Sequence, residues 1–321
     1  MVALFQPACR AACVALQHGL RAAVRQTPAM NAALSSTPPR RISAPALRRA
    51  LISGARRVIA DRDTLNRINV FPVADGDTGS NLAYTLNAIL AGALSRPAAT
   101  PGELLARVGE DAVDGARGNS GAILAQFLQG VAEAVGNAAS LDQAALTGAV
   151  RRGAAAARQA LSEPKEGTII SVIHAFAESL DAAAGDLGAW FTQGLERSRR
   201  ALADTPRQLP VLEKAGVVDA GAKGFVDLLE GIAEFMRSRR VGAPAAEDDI
   251  SADIEAHDLH AESCADPDRR WCSECLVSAE AIDRVALKEA VLALGADCVV
   301  VAGSSRRVRL HAHVGQPQAL F

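Results

Sequence analysis

Several features are scarce in this 321-residue sequence, and each scarcity argues against a class of protein. Aromatic residues make up only 3% of the chain, whereas alanine and glycine are abundant, which favours closely packed helices over a β-sandwich. No uninterrupted apolar run approaches the roughly 18 residues that span a bilayer, so we expect no integral membrane segment. The net charge of -2 gives no general reason to expect nucleic acid as a partner.

Cysteine is absent from the long middle of the chain. This distribution is not that of a disulfide framework, and it fits reduced cysteines in a cytoplasmic protein. Metal ligation by the later group stays open. The six cysteines are Cys9, Cys13, Cys264, Cys272, Cys275 and Cys298.

Acidic residues are absent from the first 60 positions, which are rich in arginine. We interpret residues 1–44 as a disordered or wrongly assigned extension. Residues 45–240 carry apolar residues at helical spacing, and their short connections predict a mainly α fold with antiparallel neighbours. The eight predicted helical segments cover residues 45–63, 78–95, 102–115, 119–136, 142–162, 167–185, 188–203 and 222–239.

The composition changes after residue 240. Residues 241–268 are strongly acidic with few large apolar residues, which predicts a solvated linker. Residues 269–321 then show the pattern of a small α/β module. Its predicted elements are a strand over 271–277, a helix over 279–294, and strands over 298–302 and 308–314.

The most informative run extends from Asn69 to Asn81 and contains Asp75-Gly76-Asp77-Thr78-Gly79. Two carboxylates one glycine apart repel each other, so a tight loop that holds both favours a divalent cation. Hard oxygen ligands completed by water and phosphate favour Mg²⁺. The helix that begins near Thr78 also offers backbone N–H groups to an anion. The alternative is an ordinary Asp-Gly turn that caps a helix.

Three more glycine-rich motifs each begin a predicted helix. They are Gly115 to Gly121, Glu166-Gly167-Thr168, and Ala215 to Gly221. The sequence contains no Gly-x-x-x-x-Gly-Lys-[Ser/Thr], so it is not a P-loop protein.

The four motifs, in this order, resemble the nucleotide-binding domain of the dihydroxyacetone kinase L type, and most closely the version in the fatty acid kinase A subunit. The resemblance covers residues 45–240 and implies an eight-helix barrel that binds ATP and Mg²⁺ at one end. It implies Asp75 and Asp77 as catalytic Mg²⁺ ligands. Asn69 stands near the position where that family has a further aspartate, which makes it a candidate third ligand. The implied nucleotide-binding residues are Thr78, Gly79, Ser80, Asn81, Asn119, Ser120, Gly121, Thr168, Asp219 and Gly221.

In the second module, His311 and His313 share one face of a predicted strand because side chains alternate along a strand. Cys272 and Glu274 share a face of another strand. On the residues alone, a zinc site and ordinary strand residues both stay open. The stretch also resembles the middle domain of fatty acid kinase A subunits, which implies Zn²⁺ held by Cys272, His311 and His313, with Glu274 or water in the fourth position.

The resemblance implies a kinase that transfers the γ-phosphate of ATP to a fatty-acid carboxylate, giving an acyl phosphate. In that family a separate DegV-type fatty-acid-binding protein presents the acyl chain. A dihydroxyacetone (glycerone) kinase subunit and a non-catalytic nucleotide-sensing module stay open as alternatives, and so does a homodimer. Family members continue into a C-terminal domain, so a fragment of a longer protein also stays open.

The sequence also predicts the surroundings of two other side chains, Arg117 and His174. Arg117 is expected to contact a phosphate or to form an ion pair with Asp114 at the helix end. His174 directly follows an apolar helical run and is expected to pack in the core.

Overall fold

The computed structural model describes residues 41–180, 186–242 and 271–320. Over 41–242 it has eight long helices, one for each predicted segment, and two helices of six residues, which confirms the mainly α prediction. The predicted linker, apart from its first two residues, and the extension up to residue 40 lie outside these ranges. The helices are α1 (Ala44–Ala60), α2 (Arg62–Arg67), α3 (Thr78–Ala91), α4 (Pro101–Asp114), α5 (Gly118–Val135), α6 (Gln143–Ala160), α7 (Ile169–Ser179), α8 (Leu187–Gln208), α9 (Pro210–Ala215) and α10 (Ala220–Ser238).

Most of the long helices begin at a residue whose side chain caps them. A cap of this kind stabilises a helix by about 1 kcal/mol. The N-cap residues of α3, α5 and α7, three of the four helices that the motifs assign to ligand binding, make no such bond. The N-cap residues that do accept a bond from the first turn are Ser43, Thr100, Asp142, Asp186 and Asp219.

The helices close into a ring of neighbours. Contacts run from α1 through α10, α8, α7, α6, α5 and α4 back to α1, while α3 contacts α1, α4, α5 and α10. Glycines allow the close approach: a Cβ on Gly130 of α5 would stand 2.9 Å from Gly153 Cα of α6. Among the few aromatic side chains, Phe127 and Phe225 pack edge to face at 5.4 Å. Small residues therefore account for the tight packing of a chain poor in aromatics.

None of the described helices combines the length and the apolar character needed to cross a bilayer.

Residues 271–320 form a three-stranded antiparallel sheet in the order β1-β3-β2, with one helix. The register places Cys272 opposite His313 and Glu274 opposite His311. The helix begins later than the predicted position 279, because Asp283 caps it by accepting bonds from the Val285 and Ala286 amides. The elements are β1 (Trp271–Ser278), α11 (Arg284–Ala293), β2 (Asp297–Gly303), β3 (Arg307–Val314) and a short 3-10 turn (Pro317–Leu320).

The sheet is attached to the helices through β2. Val300 and Ala302 of β2 belong to the same apolar core as the helices. The Gly303 N–H donates to Oε1 of the buried Gln126 at 2.6 Å. These buried contacts hold β2, and with it the sheet, against α5.

The expectation for His174 is wrong. Its side chain is 62% exposed on the outer face of α7, and Nε2 lies 3.0 Å from Glu178 Oε1 one turn later. Ile169, Ile173 and Phe176 form the buried face of this helix. His174 therefore belongs to the surface.

Candidate functional site

Asp75 and Asp77 lie in the loop between α2 and α3, and Asn69 organises this loop. The buried Asn69 side chain accepts a hydrogen bond from Thr78 Oγ1 at 2.7 Å and donates to Asp75 Oδ1 at 2.6 Å. Gly76 has a φ of +69°, which glycine adopts without strain, and it turns the chain between the two carboxylates. Asn69 thus holds Asp75 through its amide N–H, and its role as a third metal ligand stays a prediction.

The electrostatics of the two carboxyl groups fit a cation. Burial and the charge of Asp75 raise the pKa of Asp77 to about 7, although a hydrogen bond with Asn81 opposes this rise. A positive ion between the two carboxylates would remove their repulsion and favour the ionised form. Carboxylate oxygens that leave room for water and phosphate suit Mg²⁺. The residues present therefore fit that ion.

Gly79 and Ser80 are held by α2. Asn66 Oδ1 accepts a bond from the Ser80 N–H at 3.0 Å, and Asn66 Nδ2 donates to Ser80 Oγ at 3.0 Å. Asn66 thus caps α3 in place of Asp77. A Cβ on Gly79 would stand 2.1 Å from the Arg62 carbonyl oxygen, so only glycine allows α2 and α3 to approach. Sequence reasoning missed Asn66, which carries no local signal of this role.

The start of α5 lies against α3. Gly118 has a φ of +57°, and a Cβ there would stand 2.4 Å from Asn81 Nδ2. The buried Thr85 hydroxyl donates to the Asn81 carbonyl at 2.8 Å, and a Cβ on Gly121 would stand 2.5 Å from that hydroxyl. The structure therefore brings together four of the predicted nucleotide-binding residues, namely Asn81, Asn119, Ser120 and Gly121.

The starts of α7 and α10 meet the start of α5. A Cβ on Gly221 would stand 2.7 Å from Ser120 Oγ and 3.4 Å from Ile169 Cβ. The buried Asp219 carboxylate accepts bonds from the Ala222 and Ile169 amides, so it caps both α10 and α7. Burial raises the pKa of Asp219 to about 6, and these two bonds oppose the rise. A contact of Asp219 and Gly221 with nucleotide stays a prediction.

Backbone N–H groups at the start of α5 are available to bind an anion. The Asn119 and Ser120 amides have no acceptor among the described residues. Such donors at a helix start attract an anion. At the start of α7, by contrast, the Ile169 amide donates to Asp219 and the Ser171 amide donates to the Thr168 carbonyl at 3.0 Å, while the Thr168 hydroxyl donates to the Lys165 carbonyl at 2.7 Å. The first turn of α5 is therefore the better-formed anion cradle.

A carboxylate from the sheet reaches this cradle. The Gly118 N–H donates to Glu274 Oε1 at 2.6 Å, and the same oxygen lies 3.0 Å from His311 Nδ1. Burial would raise the pKa of Glu274, but His311, the Gly118 amide and Arg117 outweigh burial and hold that pKa below its usual value. Glu274 is therefore an ionised cap for α5 that comes from a distant strand.

Arg117 pairs with Glu274 and not with Asp114. Its Nη1 lies 3.3 Å from Glu274 Oε2, and its guanidinium stacks 4.9 Å from the centre of the Tyr84 ring. The Asp114 carboxylate lies 2.7 Å from Arg307 Nε of β3. The expected pair of Arg117 with Asp114 is therefore wrong, because β1 and β3 bring other partners to both side chains.

Cys272, His311 and His313 converge on one point. Their donor atoms all lie within 4.8 Å of one another, and Cys272 Sγ is 3.8 Å from His311 Nδ1. Burial would raise the pKa of the Cys272 thiol, but the two histidines outweigh it and bring that pKa to about 6. His311 Nε2 is buried without a hydrogen-bond partner. A thiolate beside two imidazoles fits Zn²⁺, and Glu274 contacts His311 from outside this compact set.

Cys298 belongs to the later cysteine group for which metal ligation stayed open, but the predicted zinc set did not include it. Its thiol, the Asp297 carboxylate and His313 form a second compact group of donor atoms. Hydrogen bonds with Cys272 and Cys298 raise the pKa of His313 to about 9. Cys298 reaches His313 because β2 is irregular between Asp297 and Val300, and Cys298 has a φ of +49°. Strand alternation in the sequence gives no sign of such an irregularity.

The aspartate loop and the histidine cluster are adjacent. After burial and Asp75, the charge of Cys272 also raises the pKa of Asp77. Glu274 joins the start of α5 to His311. The loop, the α5 cradle and the cluster therefore form one composite site where the sheet meets the helices.

Comparison with known proteins gives sequence relatives and a family. An uncharacterized protein of Staphylococcus aureus strain USA300 is 28% identical over 280 residues, which cover 84% of this chain and 51% of that protein. An uncharacterized protein of the bovine strain RF122 / ET3-1 matches to the same extent. The chain thus spans about half the length of the curated relatives it matches.

Two crystal structures of dihydroxyacetone kinase from C. freundii are also similar. The complex with AMP-PNP and Mg²⁺ has a TM-score of 0.48 and 19% identity, covering 62% of this chain and 35% of that chain. The native form has a TM-score of 0.44 and 24% identity, covering 59% and 34%. The family model for the DAK2 domain matches residues 72–234, just over half of the sequence. The chain therefore belongs to the DAK2 domain family.

Proposed function

We propose that this chain supplies the ATP-binding site of a Mg²⁺-dependent phosphotransferase. The observation that carries the proposal is the position of Asp75 and Asp77 just before α3, whose residue Asn81 packs against Gly118 at the start of α5. Mg²⁺ held there would neutralise charge on the transferred phosphate, which is what phosphoryl transfer chiefly requires. Asp75 and Asp77 would hold the ion, with Asn69 beside them.

The remaining nucleotide contacts follow from the helix starts. Backbone N–H groups and hydroxyls would hold the phosphates without any nucleophile of the chain's own, because the acceptor substrate attacks directly. Thr168, Asp219 and Gly221 would line the pocket for the rest of the nucleotide. The phosphate-binding residues would be Thr78, Gly79, Ser80, Asn81, Asn119, Ser120 and Gly121.

We propose a fatty-acid carboxylate as the phosphate acceptor and an acyl phosphate as the product. A DegV-type fatty-acid-binding protein would present the acyl chain. The resemblance of the motifs to the fatty acid kinase A subunit supports this choice of acceptor, whereas membership of the DAK2 domain family supports the kinase-type domain alone. We also propose that the protein is cytoplasmic and forms a homodimer.

We also propose that Cys272, His311 and His313 hold one Zn²⁺. The compact donor set and the buried, unpartnered His311 Nε2 support it. Zinc there would act as a Lewis acid or as a structural ion. The position of Cys272 near Asp77 favours a role close to the transferred phosphate.

A nucleotide-sensing module without catalysis is the second candidate function. The bond between Glu274 of β1 and Gly118 of α5 favours it, because an anion at that place would alter how the sheet docks. Activity distinguishes the two candidates.

The test is product formation with purified chain, Mg·ATP and a DegV-type protein loaded with fatty acid. Hydroxylamine traps an acyl phosphate as a hydroxamate, and we expect this product with the wild type and not with Asp77→Asn. Asp204→Asn, an exposed carboxylate on α8, is the matched control. Hydroxamate at background level in the wild type, together with tight Mg·ATP binding, would favour the sensor. Phosphorylation of dihydroxyacetone with a sugar-binding subunit would favour the polyol alternative.

A further inference from the structure

Helix α5 is capped by a residue that is remote in sequence. Its own N-cap residue, Arg117, makes no side-chain cap bond. The Gly118 N–H instead donates to Glu274 at 2.6 Å, and the Glu274 side chain is only 13% exposed. A carboxylate at a helix start is favoured by the helix dipole, and a charge-assisted bond of this length is strong. Glu274 therefore occupies an anion position.

The same helix start is the one to which the proposed function assigns nucleotide phosphate. The free amides of Asn119 and Ser120 directly follow Gly118 in the first turn of α5. Two anions in one turn would repel each other and compete for the positive end of the dipole. Phosphate and the Glu274 carboxylate thus exclude each other at this turn.

We propose that Glu274 is an internal anion that holds the α5 cradle until a nucleotide phosphate displaces it. The inference rests on the proposed function, since it takes the displacing ligand to be Mg·ATP. Nucleotide binding then releases β1 from α5. The sheet as a whole stays attached, because β2 keeps the bond from Gly303 to the buried Gln126.

Displacement of Glu274 reaches the histidine cluster directly. Glu274 lies 3.0 Å from His311 Nδ1, and Cys272 stands two residues earlier on the same face of β1. Movement of the Glu274 side chain therefore removes a charged partner from His311, while the pairing of β1 with β3 keeps Cys272 beside the two histidines. The cluster has this carboxylate neighbour when the cradle holds Glu274 and lacks it when the cradle holds phosphate.

Binding of Mg·AMP-PNP to the whole chain tests the competition. Calorimetric titration is expected to show about tenfold tighter binding to Glu274→Gln than to the wild type, since a competing charge is removed. Glu274→Asp keeps the charge but shortens the reach, so it should bind as tightly as Glu274→Gln. Glu289→Gln, an exposed carboxylate on α11, should match the wild type. Equal or weaker binding by both Glu274 variants overturns the proposal.

Hydrogen exchange supplies a readout that does not depend on affinity. In nucleotide-free protein, the Gly118 amide should exchange faster in Glu274→Gln than in the wild type. When Mg·AMP-PNP binds the wild type, residues 115–121 should stay protected while residues 271–278 exchange faster. Protection of both segments in the complex contradicts the displacement.

The outcomes also separate this inference from the proposed function. If no variant binds Mg·AMP-PNP, the proposed function fails and the displacement fails with it. If all variants bind equally, nucleotide binding stands and only the role of Glu274 is overturned.

Discussion

Replacing Asp77 with asparagine is expected to stabilise the nucleotide-free protein at alkaline pH. In the folded chain the pKa of Asp77 rises from 3.8 to about 7, first through burial and then through Asp75. The folded state therefore holds this proton more tightly than the unfolded chain does. Stability contributed by this group is present below about pH 4 and is lost as the pH rises through about 7. Asparagine does not ionise, so the Asp77→Asn variant does not lose this stability as the pH rises.

The size of the effect follows from the pKa. A rise from 3.8 to about 7 corresponds to at most about 4 kcal/mol, at about 1.4 kcal/mol for each pKa unit. Asp77 is partly exposed, and solvent screening lowers this limit. We therefore expect the variant to be about 2 kcal/mol more stable than the wild type at pH ~8.5, and nearly equal to it at pH ~4.

Urea unfolding of the two proteins at both pH values measures this difference. Asp204→Asn serves as the matched control and should show no such pH dependence. Adding Mg²⁺ at pH ~8.5 should stabilise the wild type more than Asp77→Asn, because the ion replaces the lost proton. A stability difference that is the same at both pH values would contradict the raised pKa of Asp77 in the folded protein.

Three further predictions concern other parts of the chain. A chain that begins at Arg41 should unfold like the full chain. One that begins at Ala44 should lose at least about 1 kcal/mol, because it lacks both the Ser43 cap and the bond from Ile42 to Leu141; equal thermal stability of the two would contradict this. Metal analysis should find about one Zn²⁺ per chain, lost in His311→Ala and His313→Ala. If both variants retain zinc, these residues do not form the zinc site. Asn66→Ala should lower the free energy of unfolding by about 1 to 2 kcal/mol through the lost α3 cap, and an unchanged urea midpoint would argue against that cap.

The helices were predictable because their signals are local. Apolar spacing predicted the long helices to within a few residues at most ends, and caps such as Thr100 and Asp142 fix two of the starts in the structure. The end of α8 was predicted too early, at residue 203, because proline normally stops a helix. The structure continues it through Pro206 to Gln208. The Leu202 carbonyl, which Pro206 cannot bond, accepts a bond from Thr205 Oγ1 at 2.8 Å instead.

The composite site was predictable only in parts. The motif around Asp75 and the strand alternation of His311 and His313 are local patterns, so the sequence revealed each separately. The bond between Gly118 and Glu274 joins residues 156 positions apart, and no spacing rule predicts it. Burial then sets the pKa of Asp77, and burial depends on how the sheet packs on the helices. The sequence therefore predicted the site's residue types better than their mutual arrangement.

Calorimetric titration with AMP-PNP, with and without Mg²⁺, tests the proposal that Asp75 and Asp77 hold the metal of a bound nucleotide. We expect about one nucleotide per chain and binding that requires Mg²⁺. The double variant Asp75→Asn and Asp77→Asn should lose at least about a hundredfold in affinity, which corresponds to about 3 kcal/mol. Asp204→Asn should bind like the wild type. Wild-type affinity in the double variant, or equal binding without Mg²⁺, would show that these carboxylates do not hold the metal.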